Sequence, residues 1–403
     1  MRHNTLQFAR VASALCLGGT TLAVQPAASV CPGPLCVSRT DDSPADPQPG
    51  MLRYAIRAAG NGAVITFDRS LSGKTIELDR SSSGNHLRIS RNISIEGPGP
   101  DLLTIDGGNA TRIFFITADV VRISGLTLAR GYARGGDGSV GSGGAGGGGG
   151  AAGLGGAIFL NRGSLILNGV VMAGNRCAGG NGGGGGSGFG SGRGGGGGGF
   201  GGSSLKPPAG GVGGDLESND PLEGAGGGGG KSEDAAEPGS EGGWAGGGGG
   251  GGFRVYSAGG RGATGGPSGF AGGVGGAGGY LDADEGGIIP GGGGYGGSGL
   301  GGAIFVRSGE LHLRDTSFLN NAAARGFGGS GAPNGVAKGG SLFICSSSFC
   351  GPGHDGVAVA LGKTIFRGSL AADAGDDLAC PGRDDVDICG LIAIAPSEGE
   401  TKR

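Results

Sequence analysis

The sequence predicts an all-β solenoid, a stack of short strands broken by long glycine-rich insertions. Three observations predict it. Between residues 51 and 134 a short phrase of apolar/polar alternation recurs, closed each time by Asp, Glu or Gly. Residues 155–175 (GGAIFLNRGSLILNGVVMAGN) return 146 positions later as 301–321 (GGAIFVRSGELHLRDTSFLNN), with nine identities in 21. Finally, 109 of the 403 residues are Gly, about four times the usual share.

The N-terminus reads as an export signal over 1–28. Arg2 and Arg10 supply the positive region, Val11 to Val24 is apolar but too short to span a bilayer, and Ala27, Ala28 and Ser29 are small. Residues 29–50 are rich in Pro, Asp and Ser and read as a tail or loose cap. Leu52 to Ala59 is the one helical phrase, one or two turns that cap the first coil.

Strands follow at 64–68, 75–79, 93–97, 103–107, 121–125 and 126–128. A period of two marks half-buried strands, and the closing residues are turn formers. This pattern points Ile65, Phe67, Ile76, Leu78, Ile93, Ile95, Leu103, Ile105, Ile123, Leu126 and Leu128 inward. In the long-range repeat Ile158, Leu165, Leu167, Ile304, Leu311 and Leu313 take the same phase.

A third, degraded copy of that repeat starts at Gly339-Gly-Ser-Leu-Phe-Ile344. A unit of 20–25 residues with two or three strands cannot bury its own apolar face, so it stacks on its neighbours. The tracts 135–154, 178–300 and 325–338 each run directly into a Gly-Gly start. Stacked copies would therefore release all three from one corner, with 155–175 and 301–321 on adjacent coils. The solenoid then spans 51–378, and 379–403 is a Cys-containing C-terminal tail.

The tract 178–300 is an insertion, tolerable because loop-closure entropy grows slowly with length. Residues 176–300 carry six basic and eleven acidic side chains. Phe189, Phe200, Trp244, Phe253, Tyr256, Phe270, Tyr280 and Tyr295 punctuate the glycines. Glycine buries no side chain to offset its chain entropy, which predicts a flexible loop whose deletion leaves the coils folded. The rival arrangement is a set of packed, extended polyglycine helices.

Eight cysteines supply the compartment. Apart from Cys16, they form the close pairs Cys31/Cys36, Cys345/Cys350 and Cys380/Cys389, with Cys177 left over as a buried thiol. Short spacings without CxxC or companion histidines suit local disulfides in an oxidising compartment.

The run Gly50-Met-Leu-Arg-Tyr-Ala-Ile-Arg-Ala-Ala with Ile65-Thr-Phe-Asp68 resembles the N-terminal phrase of secreted bacterial right-handed parallel β-helix proteins. Ile93-Ser-Ile-Glu-Gly-Pro-Gly99, Leu103-Thr-Ile-Asp-Gly107 and Ile123-Ser-Gly-Leu-Thr-Leu128 are similar to their next coils. Gly-Gly-Ala-Ile at 155 and 301, with Phe318-Leu-Asn-Asn321, resembles the two-part repeat of polymorphic outer-membrane proteins. The resemblance implies a pectin-lyase-like fold that carries both polysaccharide-degrading enzymes and adhesins, so function has to be argued from a site.

Asp68, Glu77, Asp79, Glu96 and Asp106 sit at strand ends, where an acid cluster for sugar chemistry would line up. Each also suits a turn that bonds nearby backbone. His86, His312 and His354 are isolated from one another, and His312 takes the polar phase of its strand. Ala225–Ser232 satisfies a relaxed phosphate-loop pattern ending in Lys231-Ser232, but lacks the flanking strand and helix that aim amides at phosphate. Gly210-Gly-Val-Gly-Gly-Asp215 begins like a calcium nonapeptide and fails at Glu217, which leaves Asp282, Asp284 and Glu285 as the better calcium guess.

With 30 Lys+Arg against 33 Asp+Glu, no basic nucleic-acid footprint exists. No catalytic, cofactor or metal residues are assigned. The sequence favours a secreted or cell-surface structural, adhesin-like protein whose partners are cell-surface glycans or proteins. The alternative is a lyase or glycoside hydrolase on the same fold.

Overall fold

The computed structural model describes residues 31, 33–81, 85–188, 192–199, 225–232, 236–254, 261–282, 287–373, 380 and 386–395. The expected leader, 1–28, lies outside them. The chain is dominated by parallel β-sheet, and its strands visit three main sheets in rotation.

An eight-stranded sheet collects, in chain order, Cys36–Val37, Ala63–Phe67, Ile93–Glu96, Val120–Ser124, Ser164–Asn168, Gly309–Arg314, Gly356–Leu361 and Ile392–Ala395. A six-stranded sheet collects Lys74–Glu77, Leu103–Asp106, Thr127–Ala129, Val171–Ala173, Ser317–Leu319 and Ile365–Arg367. The other six-stranded sheet holds Leu87–Ile89, Phe114–Ile116, Ile158–Leu160, Ile304–Val306, Leu342–Ile344 and Ile388–Cys389. The 146-residue repeat is therefore a physical register. Ile158 pairs with Ile304, Leu165 with Leu311, Val171 with Ser317 and Arg176 with Ala322, all in parallel. The degraded third copy is next in line, Ile304 opposite Leu342.

The alternating phase predicted from the strands fills one core. Ile65, Ile76, Ile95, Ile105, Ile123, Leu128, Leu165 and Leu311 are among its fully buried members. Phe67 departs from the prediction and is only half-buried, packed at the core margin. It ends its strand beyond the register with Ile93–Glu96 and pairs only with Val37 of the two-residue edge strand. Helix Leu52–Ala58 buries Leu52, Ala55 and Ile56 over the end of this core. The preceding segment is docked rather than loose: Val37 is fully buried, and Asp42 forms a buried ion pair with Arg53 at 2.6 Å. The three close cysteine pairs are disulfides, and Cys177 is a buried free thiol.

The glycine tracts leave and return through two small parallel sheets. Tyr132–Arg134, Arg176–Ala178 and Ala322–Ala324 lead out, while Gly153–Leu154, Gly299–Leu300 and Ala337–Lys338 lead back. All three tracts thus share one corner. Arg112 fastens it, donating from Nε to Gly155 O (2.9 Å) and from Nη2 to Leu154 O (2.8 Å). Burial pulls its pKa down to about 10.

Beyond that corner the tracts form an ordered bundle of extended segments, so the flexible-loop expectation does not hold for the described residues. Segment 146–153 shows the rule. Amides of 146, 149 and 152 donate to carbonyls of 251, 248 and 245; amides of 147, 150 and 153 donate to 292, 295 and 298. Gly148 and Ala151 donate to Ser139 and Gly136. Its carbonyls accept from three further segments, at Gly195, Gly198, Gly276, Gly273, Gly183 and Gly180. A three-residue period with every bond made to another segment of the chain is the signature of a polyproline-II-like helix, here with six neighbours. The sequence follows from that packing. A methyl added at Gly149 would overlap Gly273 O, and one at Gly147 would overlap Gly183 O.

Candidate functional site

The strand-end acids are engaged locally. Asp68 accepts the Ser70 amide at 2.8 Å and caps the short turn Arg69–Leu71; the Ser70 bonds hold its carboxyl below the usual range. Asp79 accepts from the Ser81 amide (2.9 Å), the Ser81 hydroxyl and Asn85 Nδ2 (2.6 Å), with the same downward effect. Asp106, buried, accepts the Gly108 amide at 2.7 Å and both Nε and Nη2 of Arg130. Glu77 is opposite Asp106 in register and pairs with Arg80 at 3.2 Å. Glu96 is exposed at the end of its strand. Only Glu77 and Asp106 are brought together, and Arg130 already neutralises Asp106. Glycosidases use two carboxyl groups about 5–10 Å apart, one donating a proton and one acting as nucleophile or base, and here one of the two is tied to Arg130.

The histidines do not converge with these acids. His86 is buried 5.4 Å from the Phe115 ring; burial first, then the charges of Arg112, Arg53 and Arg88, push its pKa down to about 3. His312 bonds Glu310 at 3.1 Å on the outer face of the eight-stranded sheet. There it borders a shallow depression of about 280 Å³ with Ile166, Asn168, Arg314 and Leu361. His354 lies 5.7 Å from the Trp244 ring.

The remaining motifs resolve differently. In the phosphate-loop-like run, Gly227 and Gly230 donate to Gly247 O and Gly250 O, and Ser232 Oγ accepts the Phe253 amide at 2.7 Å. Those amides serve the bundle and do not converge on an anion. Residues 210–217, Asp284 and Glu285, and the side chain of Asp282, lie outside the described residues, as do Phe189, Phe200 and Tyr256. Cys31, Cys36 and Asp68 lie close enough to share an ion, but both thiols are in a disulfide.

The most elaborate side-chain assembly joins the bundle to the sheets. Phe115, Phe159, Phe305 and Phe343 stack in register on one six-stranded sheet, with centroids 5.1, 5.2 and 5.4 Å apart. They face away from the main core. From the bundle, Trp244 covers Phe159 (6.2 Å) and Phe305 (6.3 Å) and stacks on Phe270 (5.3 Å). The Arg307 guanidinium sits 4.1 Å from the Trp244 centroid, a close cation–π contact. The alternation rule places only Ile158 and Ile304 inward and overlooks Phe159, Phe305 and Arg307. The signal was present as unbroken apolar triplets, Ile158–Leu160 and Ile304–Val306, which mark a strand covered on both faces.

No known protein family, curated protein or solved structure matches the chain. Among the described residues, no helix is long and apolar enough to cross a membrane.

Proposed function

We propose that the chain is a right-handed parallel β-helix, exported and built for a structural, adhesin-like role, whose polyglycine bundle is the element it presents. The observation that carries this reading is the ordered bundle clamped to the sheets by Trp244. A large, side-chain-poor lattice held against a rigid shaft is a means of display rather than of chemistry. The rotation of strands through three parallel sheets supports the β-helix, and three short-range disulfides support an oxidising compartment. The local engagement of Asp68, Asp79 and Asp106 weighs against the polysaccharide-degrading alternative.

Mass spectrometry of the secreted fraction tests export: a mature N-terminus near residue 29 is expected, and retention of 1–28 on cytosolic protein refutes it. Binding of the purified protein to cell surfaces and glycan arrays tests display. Release of unsaturated or reducing-end products from pectin or alginate would instead establish the enzyme.

A further inference from the structure

Segment 290–299 of the glycine bundle has five neighbours where 146–153 has six. Its amides at 292, 295 and 298 donate to carbonyls of 277, 274 and 271; those at 291, 294 and 297 donate to 186, 183 and 180; those at 296 and 299 donate to 333 and 336. Its carbonyls at 292 and 295 accept from 147 and 150, and those at 294 and 297 accept from 329 and 326. The neighbours also bond to one another in succession: 271–279 to 146–153 (Gly273 to Gly150), 179–186 to 146–153 (Gly180 to Ala151), 179–186 to 324–329 (Gly182 to Phe327), and 332–336 to 324–329 (Gly335 to Gly326). They therefore fill five successive positions around 290–299. The sixth, between 332–336 and 271–279, is open.

What faces that side follows from the three-residue period. A Cβ at 291, 294 or 297 would meet Ala145, Gly148 or Ala151, and one at 293 or 296 would meet Gly329 or Gly326. Gly292 and Tyr295 are the remaining set, and both are exposed. Gly292 leaves a gap beside the Tyr295 ring, since a Cβ there would meet nothing closer than Ala277 at 3.6 Å. Tyr295 is 41% exposed, and Val274 and Val336 on the two flanking segments are 38% exposed. No charged residue occurs in 271–279, 287–298 or 332–337. The open side is thus an uncharged trough with an aromatic ring in its floor.

The trough also carries unused main-chain groups. In 271–279 the amides of 273, 276 and 279 donate to 150, 147 and 144, and those of 272, 275 and 278 donate to 269, 266 and 263. The third set, Val274 and Ala277, points in the third direction, towards the open position, and finds no backbone acceptor among the described residues. The carbonyls of Gly293 and Gly296 likewise accept no backbone amide there. Each pair is three residues apart, one turn of the helix from which the bundle is built.

We propose that this trough docks an extended, proline-rich segment of a partner protein as the sixth helix around 290–299. A polyproline-II segment has the same three-residue repeat, so its carbonyls fall opposite the Val274 and Ala277 amides, and any N–H it keeps falls opposite Gly293 and Gly296. Its rings fit the gap over Gly292 against Tyr295, because proline-rich segments dock on aromatic-lined grooves in this preformed, low-entropy conformation. The docking continues the packing interface that 290–299 already makes with five neighbours, and the lack of charge suits a proline-rich segment rather than an acidic or basic one. It names a partner for the displayed bundle and to that extent rests on the display reading.

Fluorescence anisotropy of a labelled, end-capped peptide of three Pro-Pro-Ala repeats, titrated with the full chain, tests it. Each repeat keeps one N–H. Saturable binding is expected, with the all-D peptide at least tenfold weaker because its helix has the opposite hand. Gly292→Leu fills the gap and should weaken binding at least tenfold; Tyr295→Ala should weaken it several-fold. Both positions are exposed, so circular dichroism and the thermal melt should match the parent and exclude misfolding. Equal binding of the two enantiomers, indifference to both substitutions, or no binding at millimolar concentration would overturn the proposal. Sedimentation showing a dimer that Gly292→Leu abolishes would assign the trough to a second copy of the chain and overturn it as well. Capture of the peptide by a protein that binds no cell surface would uphold the trough and refute only the display role.

Discussion

Asn175 lies against Asn321, its counterpart 146 residues later: Asn321 Oδ1 accepts both the backbone amide of Asn175 (2.9 Å) and its Nδ2 (3.1 Å). The ladder continues in both directions. Asn175 Oδ1 accepts the Gly131 amide at 2.8 Å, and Asn321 Nδ2 donates to Met172 O at 3.1 Å. Both residues are fully buried at the corner where the chain turns from one sheet towards the glycine bundle. Asn321→Ala removes the acceptor and strands the Asn175 amide in the interior. A buried unsatisfied donor costs about 1–3 kcal/mol, so a loss of about 2 kcal/mol is expected by chemical denaturation. Asn175→Ala combined with Asn321→Ala should cost less than the two singles together; full additivity would show that the ladder is not coupled.

The bundle makes a sharper prediction about glycine. Gly149 is enclosed by backbone, and a Cβ there would overlap Gly273 O. Rigid main chain cannot yield as a side chain does, so Gly149→Ala should abolish bundle order and solubility. Gly292 is exposed in the same bundle, and its Cβ would stand 3.6 Å from the nearest atoms of Ala277. Gly292→Ala should therefore fall within about 0.5 kcal/mol of the parent, as ordinary surface changes do. Comparable melts for both variants would show that the segments are not packed against one another.

The difference between these glycines explains what was legible beforehand. Strand phase was readable because a half-buried strand writes its two faces alternately, as in Thr75-Ile-Glu-Leu. The register was readable because stacked copies repeat their inward residues, so Leu165 and Leu311 recur at one offset. The bundle was not readable from propensity. Glycine carries no pattern of faces, and what orders it is a lattice of main-chain bonds between segments far apart in sequence, such as Gly149 to Gly248. The contact of Trp244 with Phe159 and Phe305 was equally hidden, since the three residues stand far apart in sequence and only the docking of the bundle on the sheet unites them.

His86 gives the fold a pH dependence with a definite sign. Its pKa is about 3 in the folded chain, against about 6.5 when unfolded. Below pH 6.5 the unfolded chain takes up a proton that the folded chain refuses. Stability is therefore whole above that pH and falls as pH drops towards 3, by up to about 1.4 kcal/mol per pH unit. The lowered carboxyls, Asp68 and Asp79, add to the loss only below about pH 4. Denaturation midpoints between pH 6.5 and 4.5 should then decline in the parent but stay nearly flat in His86→Phe. A parallel decline in both would assign the acid sensitivity elsewhere.

Deletion of 180–298 tests how far bundle and sheets form one unit. Composition alone makes the deletion harmless, because the tract is mostly glycine. The structure makes it harmful through a few aromatic residues. Removing the tract strips Trp244 and Phe270 from the outer face of Phe159 and Phe305, which are fully buried in the intact chain. Burial of a Phe side chain contributes about 1.5–3 kcal/mol, so two such rings amount to a large share of a typical 5–15 kcal/mol of stability. Segment 146–152 also loses five of its six neighbours and keeps only 136–139. The shortened chain should retain β circular dichroism at low temperature, melt well below the parent and bind a hydrophobic dye. Phe159→Thr with Phe305→Thr should restore solubility to the deletion while destabilising the full chain. In the full chain the single Trp244 reports on docking directly: its fluorescence and the far-ultraviolet signal should change at one denaturant concentration. An earlier fluorescence transition, or a deletion that melts like the parent, would mean that the bundle rests on the sheets without stabilising them.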